Sequence, residues 1–244
     1  KETARTLERS QRRHLSEEDL AAERERLEGL FAESPSDPEV MVALADVLER
    51  LRDYETASEL VERALSYRKD SFELTCKAGD LRSKVLKKSV ARADKAGDTQ
   101  RAGELEQELV QHEVDDYRRR VALYPGDASL RLQLARRLMR TEELDVALAE
   151  LQKANSDPRL RRESLFLMGQ CFQRKGFNDL ARKEYQEALE GVAQLDERGK
   201  EIVYNLGLLA EAEGARDEAR THYIRIYEVD IGYRDVADKM EQFR

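Results

Sequence analysis

A small residue recurs along this chain at the spacing of a helical repeat. Four alanines share the same surroundings, because an apolar residue and a small residue precede each of them by 13 and 12 positions. Periods of about 20 to 50 residues are typical of repeat proteins, in which each helix pair stacks on the next one. The pattern therefore predicts an all-α solenoid of antiparallel helix pairs. The alanines and their preceding pairs are Ala57 with Leu44-Ala45, Ala147 with Leu134-Ala135, Ala181 with Met168-Gly169, and Ala219 with Leu206-Gly207.

The distances between these alanines indicate where the repeats lie. Ala147 and Ala181 are 34 residues apart, which is the length of one antiparallel helix pair. Ala181 and Ala219 are 38 residues apart, which leaves room for a four-residue insertion. Ala57 and Ala147 are 90 residues apart, which exceeds two such pairs by 22 residues. A whole repeat with lengthened helices is therefore expected in that interval.

The extra residues predict a long helical hairpin over 71–124. Divided evenly, they add about 11 residues, or three turns, to each helix, so that the inward face keeps its phase. The run Ala96-Gly97-Asp98-Thr99 provides a glycine stop and then an N-cap at the expected turn. The hairpin is expected to project about 16 Å beyond its neighbours. The small position of its second helix falls at Glu113, which predicts either looser packing there or a different register.

These spacings divide the chain into seven segments. The first is interpreted as a cap over the open end of the array, which terminal repeats require, and the alternative is a self-ligand or dimerisation helix. The segments are an N-terminal helical cap or extension (1–35), a first repeat (36–70), a repeat with elongated helices (71–127), three regular repeats (128–161, 162–199 and 200–233), and a C-terminal capping helix (234–244).

Composition disfavours several classes of partner. Charged residues make up 39% of the 244 residues and the formal net charge is −8, so the concentrated basic face that nucleic acids require is not expected. A basic cluster in 1–14 is diluted by acids and is interpreted as a solvated helix face rather than an anion site. No apolar run approaches the roughly 18 residues of a membrane span, and no signal peptide is visible, so a cytoplasmic location is expected.

The sequence offers little for catalysis. The three histidines, His14, His112 and His222, lack metal-binding spacing, and the nucleotide-binding and nucleophile motifs are missing. His112 and Asp116 share a helical face and could hold a metal weakly, but a solvated face is the favoured interpretation. We therefore expect neither an enzyme nor a cofactor or metal.

Two repeats resemble the tetratricopeptide repeat family. The proline that usually ends such a repeat is missing at Lys69, Arg159 and Ala193. The run 229–236 also resembles the tail after the last repeat of some bacterial members, which favours a bacterial origin. The matching residues are Leu165, Met168, Gly169, Phe172, Ala181, Tyr185 and Ala188 in one repeat, and Val203, Leu206, Gly207, Ala219 and Tyr223 in the next.

The resemblance implies a concave groove, lined by the first helix of each pair, that binds a peptide or helix. Exposed aromatic and aliphatic side chains interleaved with arginines are typical of such surfaces. The alternative is that Phe166, Tyr204 and Leu132 pack against an additional helix or a neighbouring chain. The implied lining is Leu132, Arg136, Met139, Arg140, Phe166, Gln170, Gln173, Arg174, Tyr204, Leu208 and Glu211.

The resulting functional prediction is a noncatalytic scaffold or adaptor that binds a protein or peptide in this groove. The alternative is a self-assembling structural protein that forms a homo-oligomer through the long hairpin or the N-terminal helices. The sequence does not identify the partner, because a fold does not determine a function.

Overall fold

The structure is a computed structural model that describes residues 16–242. The predicted basic cluster in 1–14 and His14 lie outside these residues. Within them the chain forms twelve helices and no strand, which confirms the all-α prediction. The chain divides into two compact units at the junction of Leu123 and Tyr124. In each unit a helix packs mainly against its neighbours in sequence, as in an α-solenoid.

Unit 1 contains the first five helices, two of which are the longest of those described. Its helices are α1 (Glu17–Glu33), α2 (Pro38–Arg50), α3 (Tyr54–Tyr67), α4 (Phe72–Lys95) and α5 (Thr99–Leu123). Unit 2 contains shorter helices in consecutive pairs, followed by a terminal helix. Its helices are α6 (Ala128–Leu138), α7 (Leu144–Ala154), α8 (Arg161–Arg174), α9 (Asn178–Ala188), α10 (Glu197–Ala212), α11 (Arg216–Tyr227) and α12 (Val236–Gln242).

The turn inside each helix pair uses one residue in the left-handed region. Gly176 and Gly214 have φ angles of 76° and 75°, which glycine adopts without a steric penalty. At the equivalent turns Arg52 and Glu142 take φ angles of 61° and 58°, which cost about 1–2 kcal/mol each for a residue with a Cβ. The turn geometry is therefore kept even where the sequence does not supply glycine.

The two helices of a pair come close because a small residue in the first faces a large one in the second. A Cβ built on Gly169 would lie 2.5 Å from Cδ1 of Tyr185, and one built on Gly207 would lie 2.6 Å from Cε1 of Tyr223. Both tyrosines are fully buried, so their rings fill the space that glycine leaves. The recurring alanines Ala57, Ala147, Ala181 and Ala219 are also fully buried.

The long hairpin, α4 with α5, uses the same device with a different plug. At Gly79 the space is filled by the carboxylate of Asp116, whose Oδ2 would lie 2.5 Å from an added Cβ. Farther out, the hairpin has a separate apolar core, so its distal part is held together by its own side chains. That core consists of Leu86, Ala93, Ala102, Leu105 and Leu109.

Replacing Gly169 by alanine tests the close approach. In a helix interior this change usually stabilises a protein, by roughly 0.5–1 kcal/mol. We expect Gly169→Ala to lower the free energy of unfolding instead, by about 1–3 kcal/mol, because the added methyl group overlaps the Tyr185 ring. Urea unfolding followed by circular dichroism measures the change.

Gly103 provides the matched control. It lies inside α5, and no atom lies within 4 Å of a Cβ built there. Gly103→Ala should leave stability unchanged or raise it by up to about 1 kcal/mol. If both variants shift stability in the same direction, the glycine–tyrosine contact does not limit the approach of the helices.

Candidate functional site

The predicted lining lies on the first helices of unit 2, but four of its apolar members are not exposed. Relative exposure is 4% for Leu132, 5% for Met139, 2% for Phe166 and 8% for Tyr204. The expectation of an exposed aromatic and aliphatic lining was therefore wrong. These side chains belong to the packed interior of unit 2.

Side chains from the next repeat cover the two aromatic rings. The Arg198 guanidinium of α10 stacks over the Phe166 ring at 4.2 Å, and Tyr185 packs beside Phe166 with 6.0 Å between ring centroids. The Arg234 guanidinium stacks over the Tyr204 ring at 4.7 Å, and the Tyr204 hydroxyl donates to Asp235 at 2.6 Å. For Tyr204 the covering group is thus the segment that leads into the added helix α12.

The polar members of the predicted lining remain accessible to different degrees. Arg140 and Arg174 are exposed, whereas the others are partly buried. Arg174 donates to the Met139 carbonyl oxygen at 2.9 Å, at the end of α6, and Gln173 accepts from the Tyr185 hydroxyl at 2.8 Å. We name this surface the polar lining, defined as Arg136, Arg140, Gln170, Gln173 and Arg174.

An alternating row of charges runs across the first helices beside the polar lining. The Arg136 guanidinium lies 2.6 Å from Glu163, and Glu163 lies 2.9 Å from Arg198. Arg198 also pairs with Glu201, and Glu201 lies 3.3 Å from Arg234. We name these five residues the arginine–glutamate ladder. It connects α6, α8, α10 and the segment before α12, so each repeat is tied to the next.

The ladder carries more positive than negative charge. Its three arginine side chains are between 32% and 43% exposed, whereas Glu163 and Glu201 are 21% and 27% exposed. Single ion pairs at this exposure contribute little, but shared charges in a network are coupled. The first-helix face therefore presents guanidinium groups that are fixed in position and still reachable from solvent.

Four ladder residues, Glu163, Arg198, Glu201 and Arg234, were not among the predicted site residues. Arg198 and Arg234 are 36 residues apart and Glu163 and Glu201 are 38 apart, close to the repeat spacing. A charge that recurs at the repeat spacing was the sequence signal that could have revealed the ladder.

The loop that leads into α10 is held by a charge-assisted cap. Two Arg162 nitrogens donate to Asp196 at 2.7 and 2.6 Å, and the Gly199 N–H donates to Asp196 at 2.8 Å. The bonds from Arg162, followed by the bond from Gly199, hold the pKa of Asp196 well below its usual range. A lowered folded-state pKa stabilises the fold above the ordinary aspartate range, and that stability is lost as the pH falls below it.

Asp196→Asn tests this contribution. Asparagine still accepts the Gly199 N–H as an N-cap, so the change removes mainly the charge. We expect a loss of up to about 1 kcal/mol between pH 5 and 8, reduced by solvent because more than half of the carboxylate is exposed. Urea unfolding at pH 7 and pH 3 measures the difference, which should vanish below about pH 4. An equal difference at both pH values would show that the ionised carboxylate is not responsible.

A second charged cluster lies inside the long hairpin. The Arg120 guanidinium lies 2.6 Å from Asp80 and 2.7 Å from Asp116, and it donates to the Cys76 carbonyl oxygen at 3.0 Å. Arg120 and Asp116 are almost completely buried. Burial raises the pKa of the Asp116 carboxyl, although Arg120 acts in the opposite direction. His112 Nε2 lies 3.0 Å from the Gly79 carbonyl oxygen, so its ring is engaged with the backbone.

Arg120→Met tests the importance of this cluster for the hairpin. The change leaves the buried Asp116 without its counter-charge, and such changes cost about 3–5 kcal/mol. We expect a loss of that size in the free energy of unfolding, measured in urea. The control is Arg119→Met at the neighbouring exposed position, which should change stability by no more than about 0.5 kcal/mol. Similar effects of the two changes would contradict a structural role for the buried pair.

One cavity in unit 2 lies away from the first-helix face. It has a volume of about 710 Å³, is open to solvent, and lies between the start of α6 and the loop before α8. Its two carboxylates already accept backbone N–H groups, Asp127 from Ser129 and Asp157 from Arg159. The cavity therefore contains capped chain ends rather than a cluster of free polar groups.

In residues 16–242 no helix is both long enough and apolar enough to cross a membrane. No group of three or more potential metal ligands lies together in the same described part of the chain.

Comparison with known proteins confirms the resemblance noted in the sequence. Residues 38–71 match the tetratricopeptide repeat family. No curated protein sequence matches the chain. The structure of YrrB, a tetratricopeptide repeat protein with an unusual peptide-binding site, has a TM-score of 0.60 at 17% identity, and the match covers 88% of this chain and 97% of that one.

Two further structures show the same fold. MamA has a TM-score of 0.54 at 16% identity, and the match covers 82% of this chain and 95% of that one. The C-terminal part of a repeat-containing protein from Cytophaga hutchinsonii has a TM-score of 0.51 at 14% identity, with 91% and 95% covered. At these identities the similarity shows the tetratricopeptide fold, which is a fold of protein-interaction scaffolds.

Proposed function

We propose that this tetratricopeptide-repeat protein is a noncatalytic scaffold that binds a peptide or helix of a partner protein on the first-helix face of unit 2. The observation that carries the proposal is the polar lining, where guanidinium and amide groups sit beside a pre-ordered charge network. The similarity to YrrB, which is described as having a peptide-binding site, supports a peptide as the ligand class.

The polar lining suits a ligand that offers oxygen acceptors. Arg140 and Arg174 are exposed guanidinium groups, and such groups bind carboxylates or backbone carbonyl oxygens through paired N–H donors. Gln170 is partly buried and adds an amide that both donates and accepts. A peptide backbone with an acidic side chain would meet all three groups.

The buried aromatic residues act as the base of this surface rather than as contacts. Phe166 is fixed between Arg198 and Tyr185, so it holds the Arg198 guanidinium in place. Side chains that are fixed before binding lose less conformational freedom when a ligand arrives. Truncation of Phe166 is therefore expected to disturb folding before it reports on recognition.

The hairpin is a weaker basis for function than the first-helix face. Its distal apolar side chains, such as Leu86, Leu105 and Leu109, are buried against one another. The exposed side chains at its tip include Asp94, Lys95 and Gln100. Self-assembly through the hairpin therefore has no apolar contact surface in its favour.

The test compares two double charge reversals that change the net charge equally. Arg140→Glu with Arg174→Glu alters the polar lining, whereas Lys183→Glu with Arg220→Glu alters exposed cations on the second helices α9 and α11. Each protein is immobilised and incubated with an extract of the cells that make it, and captured proteins are quantified by mass spectrometry. We expect a partner that the wild type and the control retain and that the lining variant loses by about tenfold or more, since each charged hydrogen bond contributes roughly 1.5–3 kcal/mol.

Folding must be checked in parallel, because Arg174 also donates to the Met139 carbonyl oxygen. Circular dichroism and thermal unfolding of all three proteins provide that control. If every partner of the wild type binds the lining variant equally well, recognition lies elsewhere on the molecule and the proposal fails.

A further inference from the structure

The terminal helix α12 is docked on repeat five through a small apolar contact. Val236 is fully buried, and Tyr233 and Met240 pack beside it on the cluster that contains Val203 and Tyr223. Val236 and Met240 lie four residues apart, so they project from one face of the helix. The contact is therefore that of an amphipathic helix on an apolar surface.

Polar contacts surround this apolar centre. The Lys239 ammonium lies 2.6 Å from Glu211, and Asp235 accepts from the Tyr204 hydroxyl at 2.6 Å. Arg216 donates to the carbonyl oxygen of Gln242 at 3.1 Å, at the end of the helix. Repeat five thus supplies a partner for the apolar, acidic and basic side chains of α12 and for its C-terminal end.

The surface under α12 includes three residues that the sequence placed in the binding groove. Tyr204 and Glu211 contact the terminal segment directly, and Leu208 belongs to the same apolar cluster. The chain itself therefore occupies the repeat-five part of the predicted groove.

The terminal segment reproduces a contact that a following repeat would make. Arg234 stacks over Tyr204 and pairs with Glu201, just as Arg198 of α10 stacks over Phe166 and pairs with Glu163. The surface thus selects a helix by an entering arginine, by aliphatic side chains and by a lysine that reaches Glu211.

The segment that leads to α12 is loosely packed. Val229 and Ile231 are 59% and 62% exposed, among the highest exposures of the large apolar side chains in the described residues. Arg234 has a φ of 48°, in the left-handed region that a residue with a Cβ rarely adopts. The docked state is therefore held by the few contacts of α12 and carries local backbone strain.

We propose that the surface under α12 is a docking site for a helix of a partner protein and that α12 is its resident occupant, which the partner displaces. The partner helix is amphipathic and carries an arginine at its entry, an aspartate and an aliphatic residue next to it, and a lysine and a methionine in the following turn. This inference rests on the proposed scaffold function but concerns a different part of the first-helix face.

The test uses the full chain with α12 released by Val236→Asp and Met240→Asp, changes that leave repeat five intact. The probe is a fluorescein-labelled peptide of residues 230–244, and its binding is followed by fluorescence anisotropy. We expect the released variant to bind the peptide at least about tenfold more tightly than the wild type, because the resident helix lowers the fraction of open sites. If the double variant proves unfolded by circular dichroism, the milder release Lys239→Glu replaces it.

A charge exchange distinguishes specific docking from general apolar binding. A peptide with Lys239→Glu should lose affinity for the released variant, because it places a carboxylate beside Glu211. A released variant that also carries Glu211→Lys should bind this altered peptide again. Apolar sticking would show neither the loss nor the recovery.

Two results would overturn the proposal. One is equal binding of the peptide to wild type and released variant, and the other is no binding to a folded released variant at about 1 mM, the effective concentration that a short tether provides. Either result makes α12 a fixed cap. Neither affects capture of a partner by Arg140 and Arg174, so failure here and failure of the scaffold function are separate outcomes.

Discussion

The packing of unit 2 depends on the missing side chain at Gly169 and Gly207. Each glycine lets the second helix place a tyrosine ring against the backbone of the first. The Tyr185 hydroxyl then reaches Gln173, and the rings of Tyr204 and Tyr223 lie 5.8 Å apart. Interiors are packed so tightly that a single added methyl group must displace a neighbour. The positions of the guanidinium groups on the first-helix face follow from this contact, because they stack on the rings that it fixes.

Much of the fold could be predicted from the sequence because the contacts that define a repeat are local. Ala147 and Ala181 are fully buried, as their recurrence indicates, since each faces a helix only about a dozen residues away. The excess before Ala147 likewise corresponds to the two longest helices, which lie where the sequence placed the hairpin. A residue whose surroundings are set within one helix pair leaves a periodic trace.

The site could be predicted less well, because exposure depends on the following repeat. Phe166 occupies a position that faces outward when its own helix pair is considered alone. It is buried because Arg198, 32 residues later, lies over its ring. Helical periodicity cannot show that overlap, since it depends on the offset between stacked pairs. The same holds for Tyr204, which the chain's last segment covers.

The buried charge of the hairpin has a consequence for how a repeat protein finds its native pairing. Helices of neighbouring repeats present similar apolar stripes, so a helix could in principle pair with the wrong partner during folding, and misassembly is a known failure of repeat proteins. Only the first helix of the hairpin offers both the empty position at Gly79 and the carboxylate of Asp80 to the pair formed by Asp116 and Arg120. Any other pairing within unit 1 would bury an unmatched charge, which is strongly unfavourable. The pair therefore gives α5 an address, and marks the longest helix of the described chain as a partner for α4 alone.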